Sequence, residues 1–322
     1  MLDIPFHLAE ACLRGSAPRI AVLIPCHNEA VAIPRVVEAF RRALPEATIH
    51  VYDNNSTDGT AEAARAAGAV VRTERLQGKG HVVRRMFADV EADLYVLVDG
   101  DDTYDAAAAP AMVALLLEDQ LDMVTGVRVT AIEAAYRRGH RFGNWMLTGM
   151  VAQVFGDRIS DMLSGYRVFS RRFVKSFPAL SAGFETETEL TIHALELNMP
   201  VGELPTAYKD RPAGSASKLR TYADGLRILR TILVLVKEER PLQFFSLAAL
   251  GLLLLGLGLA APVLWQYLET GLVPRLPTAV LATGVVLLSF LSQVCGLVLD
   301  SVARGRKESK RLAYLAHRAP AA

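Results

Sequence analysis

The chain has 322 residues, long enough for two domains or for one domain with an appendage. Its 35 Lys and Arg against 34 Asp and Glu leave a net charge of +1, which excludes the global basic field of a nucleic-acid binder. Mean hydropathy is +0.26, high for a soluble protein, and the three cysteines, Cys12, Cys26 and Cys295, are too scattered for a disulfide framework or a zinc site.

Arg19 to Pro25 reads as a short apolar strand, followed by a helix over Glu29 to Leu44 that turns Val36, Val37 and Phe40 inward. Thr48 to Tyr52 is a second strand, ended by the polar run DNNSTDGT. Ser56 or Thr57 is placed to cap an Ala-rich helix over Thr60 to Ala67, and Gly68 stops it. Val70 to Thr73 is a third strand, Gly78 to Ala88 opens with Gly-Lys-Gly and turns helical, and Leu94 to Val98 is a fourth strand. This alternation of strand and helix predicts an α/β domain with a mostly parallel sheet and helices on both faces. No GxGxxG follows the first strand and the GKG lacks P-loop spacing, so neither a dinucleotide fold nor a P-loop is expected.

In such sheets ligands bind beyond the C-terminal strand ends. Three polar clusters fall there: His27-Asn28-Glu29, Asp53-Asn54-Asn55, and Asp99 to Asp102. The last is the most informative, because in YVLVDGDDTYD (Tyr95 to Asp105) an apolar run stops at three carboxylates around Gly100. Carboxylates crowded at the end of a buried strand repel one another. A hard divalent cation, Mg²⁺ or Mn²⁺, with a phosphate on its far side relieves that repulsion. Gly100 is expected to let the backbone approach a ligand. An acidic turn after a strand is the plainer alternative.

Toward the C-terminus, Leu219, Tyr222, Leu226, Leu229, Leu233 and Val236 form an apolar helical stripe beside Arg220, Arg227, Arg230 and Lys237, the pattern of a helix lying on a membrane surface. Phe244 to Leu264 and Ala279 to Leu299 are uncharged, and each is 21 residues long. As helices they measure about 30 Å, the thickness of a bilayer core. Lys237 and Arg240 precede the first run, and Arg304, Arg306, Lys307, Lys310 and Arg311 follow the second. The positive-inside rule then puts both flanks in the cytoplasm. The first residues lack a signal peptide's basic start and apolar stretch. The expectation is an integral protein of a bacterial-type inner membrane, with its catalytic domain and both termini cytoplasmic. The expected divisions are a cytosolic domain over 1–218, an amphipathic helix over 219–241, a transmembrane hairpin over 242–300 and a basic tail over 301–322. Gly251, Gly256 and Gly258 offer a small-residue face for homo-oligomer contact.

These motifs together resemble the family-2 glycosyltransferases of GT-A fold, and in particular the polyprenyl-phosphate sugar synthases related to dolichol-phosphate mannose synthase and bactoprenol glucosyltransferase. IPCHNEA (Ile24 to Ala30) looks like the first-strand nucleotide motif, and VYDNNSTDGT (Val51 to Thr60) looks like the usual VVDDGSTDGT, with Asn54 in place of a frequent Asp. QGKG (Gln77 to Gly80) is similar to the segment near the diphosphate, and DGDD to the DxD motif, with Thr103 where some relatives have Gln. DMLSGYRVFSRRF (Asp161 to Phe173) resembles the DxxSGFRxFxR segment of the lipid-phosphate branch, GFETETEL (Gly183 to Leu190) the acidic start of a helix there, and DRPAGSASKL (Asp210 to Leu219) a loop that closes over donor phosphates.

The resemblance implies a hexosyltransferase with metal ligands Asp99 and Asp101. It implies donor contacts at Pro25, Asn28, Glu29, Asp53, Asn55, Lys79, Asp99, Gly100 and Ser217, and catalytic roles for Asp101, Asp161, Arg211 and Lys218. Asp161 is the first choice for orienting sugar or acceptor and Glu187 the second, with helix-dipole complementation as the alternative for Glu185 and Glu187. Arg128, Arg137, Arg138 and Arg141 precede an apolar helix over Trp145 to Phe155 and are placed to hold an acceptor phosphate. The expected reaction is metal-dependent, inverting transfer from a nucleotide-diphosphate sugar, UDP favoured over GDP, to an undecaprenyl- or dolichyl-type phosphate, with membrane lipids as partners and no nucleic acid. A membrane-anchored enzyme acting on a soluble or glycan acceptor, a processive synthase and a noncatalytic scaffold are the alternatives. The processive synthases' QxxRW signature does not fit Trp145 or Trp265.

Overall fold

The computed structural model describes residues 18–129, 159–183, 185–209, 234, 237 and 240–320. The helix expected over 219–241 therefore lies outside the described residues except at four positions. Cys12, Arg137, Arg138, Arg141, the 145–155 helix, Arg211, Ser217 and Lys218 also lie outside them.

The elements are β1 (Ile20–Cys26), α1 (Ile33–Ala43), β2 (Thr48–Asp53), α2 (Thr60–Ala66), β3 (Val70–Thr73), α3 (Lys79–Asp89), β4 (Leu94–Leu97), α4 (Ala109–Glu118), β5 (Met123–Val129), β6 (Arg167–Ser170), α5 (Arg171–Ser176), α6 (Thr186–Glu196), β7 (Val201–Ala207), α7 (Pro241–Thr270) and α8 (Leu276–Leu315). The seven strands form one sheet in the order β3-β2-β1-β4-β6-β5-β7. All pairings are parallel except those of β6, which runs against both β4 and β5. The expected mostly parallel α/β sheet is present. The chain leaves β1 toward β2 on one side and returns to β4 on the other, so the crevice where connections diverge opens at the C-terminal ends of β1 and β4.

β1 and β4 are buried on both faces, which is why they read as unbroken apolar runs. Ile33, Val36, Val37 and Phe40 recur at helical spacing on α1 and pack on Val22, Ile24, Val96 and Val168 in one core. Phe40 meets Tyr166 edge-on at 6.0 Å. Each such side chain contributes about 1.5–3 kcal/mol by leaving water. α1 begins later than expected, because Pro34 occupies its first turn and residues 29–32 form a turn. Neither Ser56 nor Thr57 caps α2: the cap is Gly59 at φ +82°, while Asp58 Oδ1 accepts from the Thr60 amide at 3.1 Å.

The chain divides into two compact units, one of residues 1–229 with 310–322 and one of residues 230–309. In the second unit, α7 and α8 pack as a hairpin. Ser289 Oγ donates to the Ala249 carbonyl at 2.8 Å and Ser292 Oγ to the Phe245 carbonyl at 3.2 Å. Both helices are long and apolar enough to cross a membrane, and Leu247, Leu254, Leu268 and Phe290 lie exposed on them. Gly251, Gly256 and Gly258 do not make one free face. A Cβ on Gly256 would meet Val286 of α8 at 2.7 Å, so this residue serves the packing of the hairpin itself.

The last turns of α8 belong to the first unit. There Lys310 Nζ donates to Glu196 at 2.7 Å and Tyr314 Oη to Asp122 at 2.9 Å. Asp122 is fully buried and also accepts from Arg172 and Ser170. The Arg172 guanidinium lies 4.7 Å over the Tyr314 ring.

Candidate active site

Three loops meet at the C-terminal ends of β1, β2 and β4. Cys26 is level with Asp53 in the register. Beyond it, Asn28 adopts φ +53° and stitches two loops together: its amide donates to Ser56 Oγ and its Oδ1 accepts from the Thr57 amide, each at 2.8 Å. The buried Glu29 donates its amide to Thr60 Oγ1 at 2.9 Å, and Pro25 is half-buried beside it. Asp53 is buried. Its Oδ2 accepts from the Ser56 amide at 3.2 Å, and its Oδ1 has no hydrogen-bond partner. An orphaned carboxylate oxygen at a strand end is suited to receive N–H or O–H groups of a ligand.

Asn54 is 3% exposed, and its side chain is bonded to the loop that follows β3. Its Nδ2 donates to the carbonyls of Glu74 at 2.9 Å and Leu76 at 2.8 Å, and its Oδ1 accepts from the Gly78 amide at 2.7 Å. It clamps the loop that leads to Lys79, and a carboxylate could not donate to those two carbonyls. Asn55 reinforces the clamp from the surface through the Arg75 carbonyl.

Gly78 and Gly80 flank Lys79 because the 181–182 backbone presses on both. A Cβ on Gly78 would lie 2.2 Å from the Ala182 carbonyl oxygen, and one on Gly80 2.1 Å from that of Ser181. That backbone is held by Glu189 of α6, which accepts from the amides of Leu180 and Ser181. Lys79 is thereby delivered between two acids, with Nζ bonded to Asp99 Oδ1 at 2.5 Å and to Glu187 Oε1. Burial lowers the ammonium's pKa, but Asp99 and Glu187 outweigh it, so Lys79 is raised above its ordinary value and stays charged.

The acid cluster sorts into distinct partners. Asp101 is buried, and its Oδ1 accepts from Thr103 Oγ1 at 2.6 Å. Asp102, at φ +60°, pairs with Arg35 at 3.1 Å. Gly100 is required by close approach to the neighbouring strand, since a Cβ there would meet Cys26 Sγ at 2.5 Å. The Asp99 carboxylate lies where a Cβ of Gly165 would be, 2.4 Å from Oδ2, and the Gly165 amide donates to Tyr104 Oη at 2.8 Å. The SGYR segment is thus docked against the acid cluster.

Lys79 bridges Asp99 and Glu187, and Asp99 and Asp101 bring carboxylate oxygens together at the end of β4. The donors are all hard oxygens. Among the described residues no three acidic, His or Cys side chains converge as a ready-made cage. One or two carboxylates plus substrate phosphates is the usual way Mg²⁺ is held, so Asp99 and Asp101 fit such an ion.

Two expected groups meet each other. Asp161 and Arg128 form a buried bidentate pair, Nε to Oδ2 at 2.8 Å and Nη2 to Oδ1 at 2.7 Å. Arg167 carried no expectation. It is completely buried, donates to the carbonyls of Met162 at 2.6 Å and Ser164 at 3.1 Å and to Thr191 Oγ1 at 2.9 Å, and burial lowers its pKa to about 10. It holds the loop between Asp161 and Gly165 against α6. The sole sequence signal was a cation opening the otherwise short and buried β6.

The family model described as glycosyl transferase family 2 matches residues 21–177. The chain is 34% identical over 250 residues to glycosyltransferase AglJ of Haloferax volcanii, covering 77% of this chain and 82% of that protein. It is 28% identical over 221 residues to a dolichyl-phosphate hexose transferase of the same organism, covering 69% and 95%. Its fold is similar to that of glucosyl-3-phosphoglycerate synthase from Mycobacterium tuberculosis, solved in complex with Mn²⁺, UDP and phosphoglyceric acid, with a TM-score of 0.55 at 22% identity over 69% of this chain and 78% of that one.

Proposed function

We propose that this chain, which belongs to glycosyl transferase family 2 and is a glycosyltransferase, moves a hexosyl group from a nucleoside-diphosphate sugar, a UDP-sugar before a GDP-sugar, to a polyprenyl phosphate, inverting the anomeric centre. The observation that carries this reading is the convergence of Asp53, Lys79, Asp99 and Asp101 at the β1/β4 crevice. In it, the orphaned Asp53 oxygen accepts from the base or ribose, and Lys79 and the backbone around it line the diphosphate. A divalent cation, Mg²⁺ or Mn²⁺, held by Asp99 and Asp101 supplies neutralisation of the charge that grows on the leaving diphosphate. Arg211, Ser217 and Lys218 close over the same phosphates. Such contacts accelerate transfer because they strengthen as the glycosidic bond breaks.

The relative named as a dolichyl-phosphate hexose transferase supports the acceptor class. A phosphate monoester already carries about −1.5 to −2 charges near neutral pH and needs little help from a base. Arg128, with Arg137, Arg138 and Arg141, is assigned to that anion. Exposed apolar side chains all round α7 and α8 support two membrane crossings, since a helix apolar on every face must bury itself somewhere. Flanking cations at Lys237, Arg240, Arg304, Arg306 and Lys307 then favour a cytoplasmic catalytic unit.

Purified protein incubated with undecaprenyl phosphate, Mg²⁺ or Mn²⁺ and a panel of UDP- and GDP-sugars tests this directly. A new lipid-linked hexose by mass spectrometry establishes the reaction and names the sugar. Donor hydrolysis without any lipid product would shift the acceptor to a soluble or glycan molecule.

A further inference from the structure

We infer that Asp161 is a positioning residue that presents Arg128 to the acceptor phosphate, and that it is not a general base. This rests on the polyprenyl-phosphate reading above. Both Asp161 oxygens are committed to one partner: Oδ1 accepts from Arg128 Nη2 at 2.7 Å, and Oδ2 accepts from Arg128 Nε at 2.8 Å and from its amide at 3.3 Å. The two side chains are 8% and 16% exposed, so water competes little for either. A carboxylate facing a planar guanidinium in this fork geometry fixes where the cation points.

The pair is held from both ends. Glu203 of β7 accepts from the Ser160 amide and hydroxyl, each at 2.7 Å, and from the Asp161 amide at 3.4 Å, which locates Asp161. On the other end, the Arg128 guanidinium lies 5.7 Å over the Tyr208 ring, and Tyr208 meets Tyr104 edge-on at 5.2 Å. Tyr104 Oη accepts from the Gly165 amide, and Gly165 cradles the Asp99 carboxylate. A continuous set of packed contacts therefore sets the distance between Arg128 and the acid cluster where the donor phosphates belong. A nucleophile that arrives ionised needs orientation more than proton removal, and misplacement of an attacking group is costly.

The test measures acceptor KM and kcat separately for Asp161→Asn, at saturating UDP-sugar and varied undecaprenyl phosphate. We expect acceptor KM to rise about tenfold while kcat stays within about threefold and the pH profile of kcat keeps its shape. In an Arg128→Gln background, Asp161→Asn should add no further loss, because the two act through one contact. A fall in kcat of about 10²-fold or more with acceptor KM unchanged, and with loss of the acidic limb of the profile, would overturn the inference, since that is the signature of a lost base. If Asp161→Asn melts early, Arg128→Lys decides: it keeps the charge and loses the fork, and the same rise in KM with preserved kcat is expected. Wild-type enzyme that forms no lipid product would sink the acceptor assignment and this inference together, whereas a kcat defect in an active enzyme sinks this inference alone.

Discussion

Asn54→Asp separates a structural reading of the second strand's polar run from a ligand-binding one. The motif that VYDNNSTDGT resembles has a frequent Asp at this position, so by that resemblance the change looks neutral or favourable. The structure argues the reverse. Asn54 donates to the carbonyls of Glu74 and Leu76 and accepts from the Gly78 amide, all within 2.9 Å and 3% exposed. A carboxylate keeps the acceptor role and loses both donors, each worth about 1 kcal/mol net, and leaves two carbonyl oxygens facing a negative charge at about 1–3 kcal/mol more. The sum is about 3–5 kcal/mol. At about 2–4 °C per kcal/mol for a domain of this size, the melting temperature should fall by about 10 °C. Donor KM should rise as well, because the clamped loop delivers Lys79. The assay is a thermal melt by near-UV circular dichroism at pH 7, with donor kinetics on the same preparation. Acidification should restore part of the loss, because protonation returns one donor. A melt within about 1 °C of wild type, with unchanged donor KM, would refute the assignment of Asn54 as a clamp.

Asp101→Ala should lower kcat/KM by at least about 10²–10³ while the melt stays near wild type, since the bond from Thr103 to Asp101 Oδ1 is local, two residues along the chain; near-wild-type rates with Mn²⁺ present would contradict it. Lys79→Met leaves the buried Glu187 without its cation and should cost about 3–5 kcal/mol along with donor affinity, read by melting and by UDP-sugar titration. His193 is held neutral by burial and then by Lys310, with its pKa lowered to about 3. Below pH 6.5 the unfolded chain takes up a proton that the folded one refuses, so stability falls as pH drops. The loss is about 1.4 kcal/mol per pH unit, or about 2 kcal/mol by pH 5. His193→Gln should flatten that slope in pH-dependent melts, and an unchanged slope would place the titration elsewhere. Lys310→Ala leaves Glu196, 4% exposed, without its ion-pair partner and should lower the melting temperature of the catalytic unit, whereas Tyr314→Phe should cost about 1 kcal/mol.

The centre of the sheet was legible because β1 and β4 are buried on both faces and are followed by residues that cannot continue them. Apolar runs stopping at His27 and Asp99, with the shorter β2 ending at Asp53, give both the elements and the end of the sheet that carries the site. The acid cluster was legible for the same reason, as charge where burial demands none. Other features were hidden by distance in sequence. Asp161 and Arg128 are 33 residues apart, and the resemblance and local sequence give them separate roles. The Lys79–Glu187 contact spans 108 residues. α6 was hidden in another way. Every residue of it is buried, including Glu187, Glu189 and Glu196, so its polar pattern imitates a solvated helix start. Each of those carboxylates meets a donor supplied by another element, and such partners emerge only from the fold. Arg167 is the same case in reverse, a cation that donates to two backbone carbonyls, a hydroxyl and a thioether.

The catalytic unit is interrupted in sequence by both apolar helices and closed by the last turns of the second. The ribosome therefore makes Glu196 well before Lys310, 114 positions later in the chain. At about 5–20 residues per second that is an interval of roughly 6–23 s during which a buried carboxylate waits for its cation. If α7 and α8 cross the bilayer as proposed, the enzyme's final ion pair can close only after the second helix has been synthesised and its end has returned to the side where synthesis began. A chain whose second span fails to integrate keeps Glu196 and Asp122 without Lys310 and Tyr314. Maturation of the enzyme and completion of its membrane topology then become one event, and a mis-inserted copy carries its own defect for proteolytic surveillance to find.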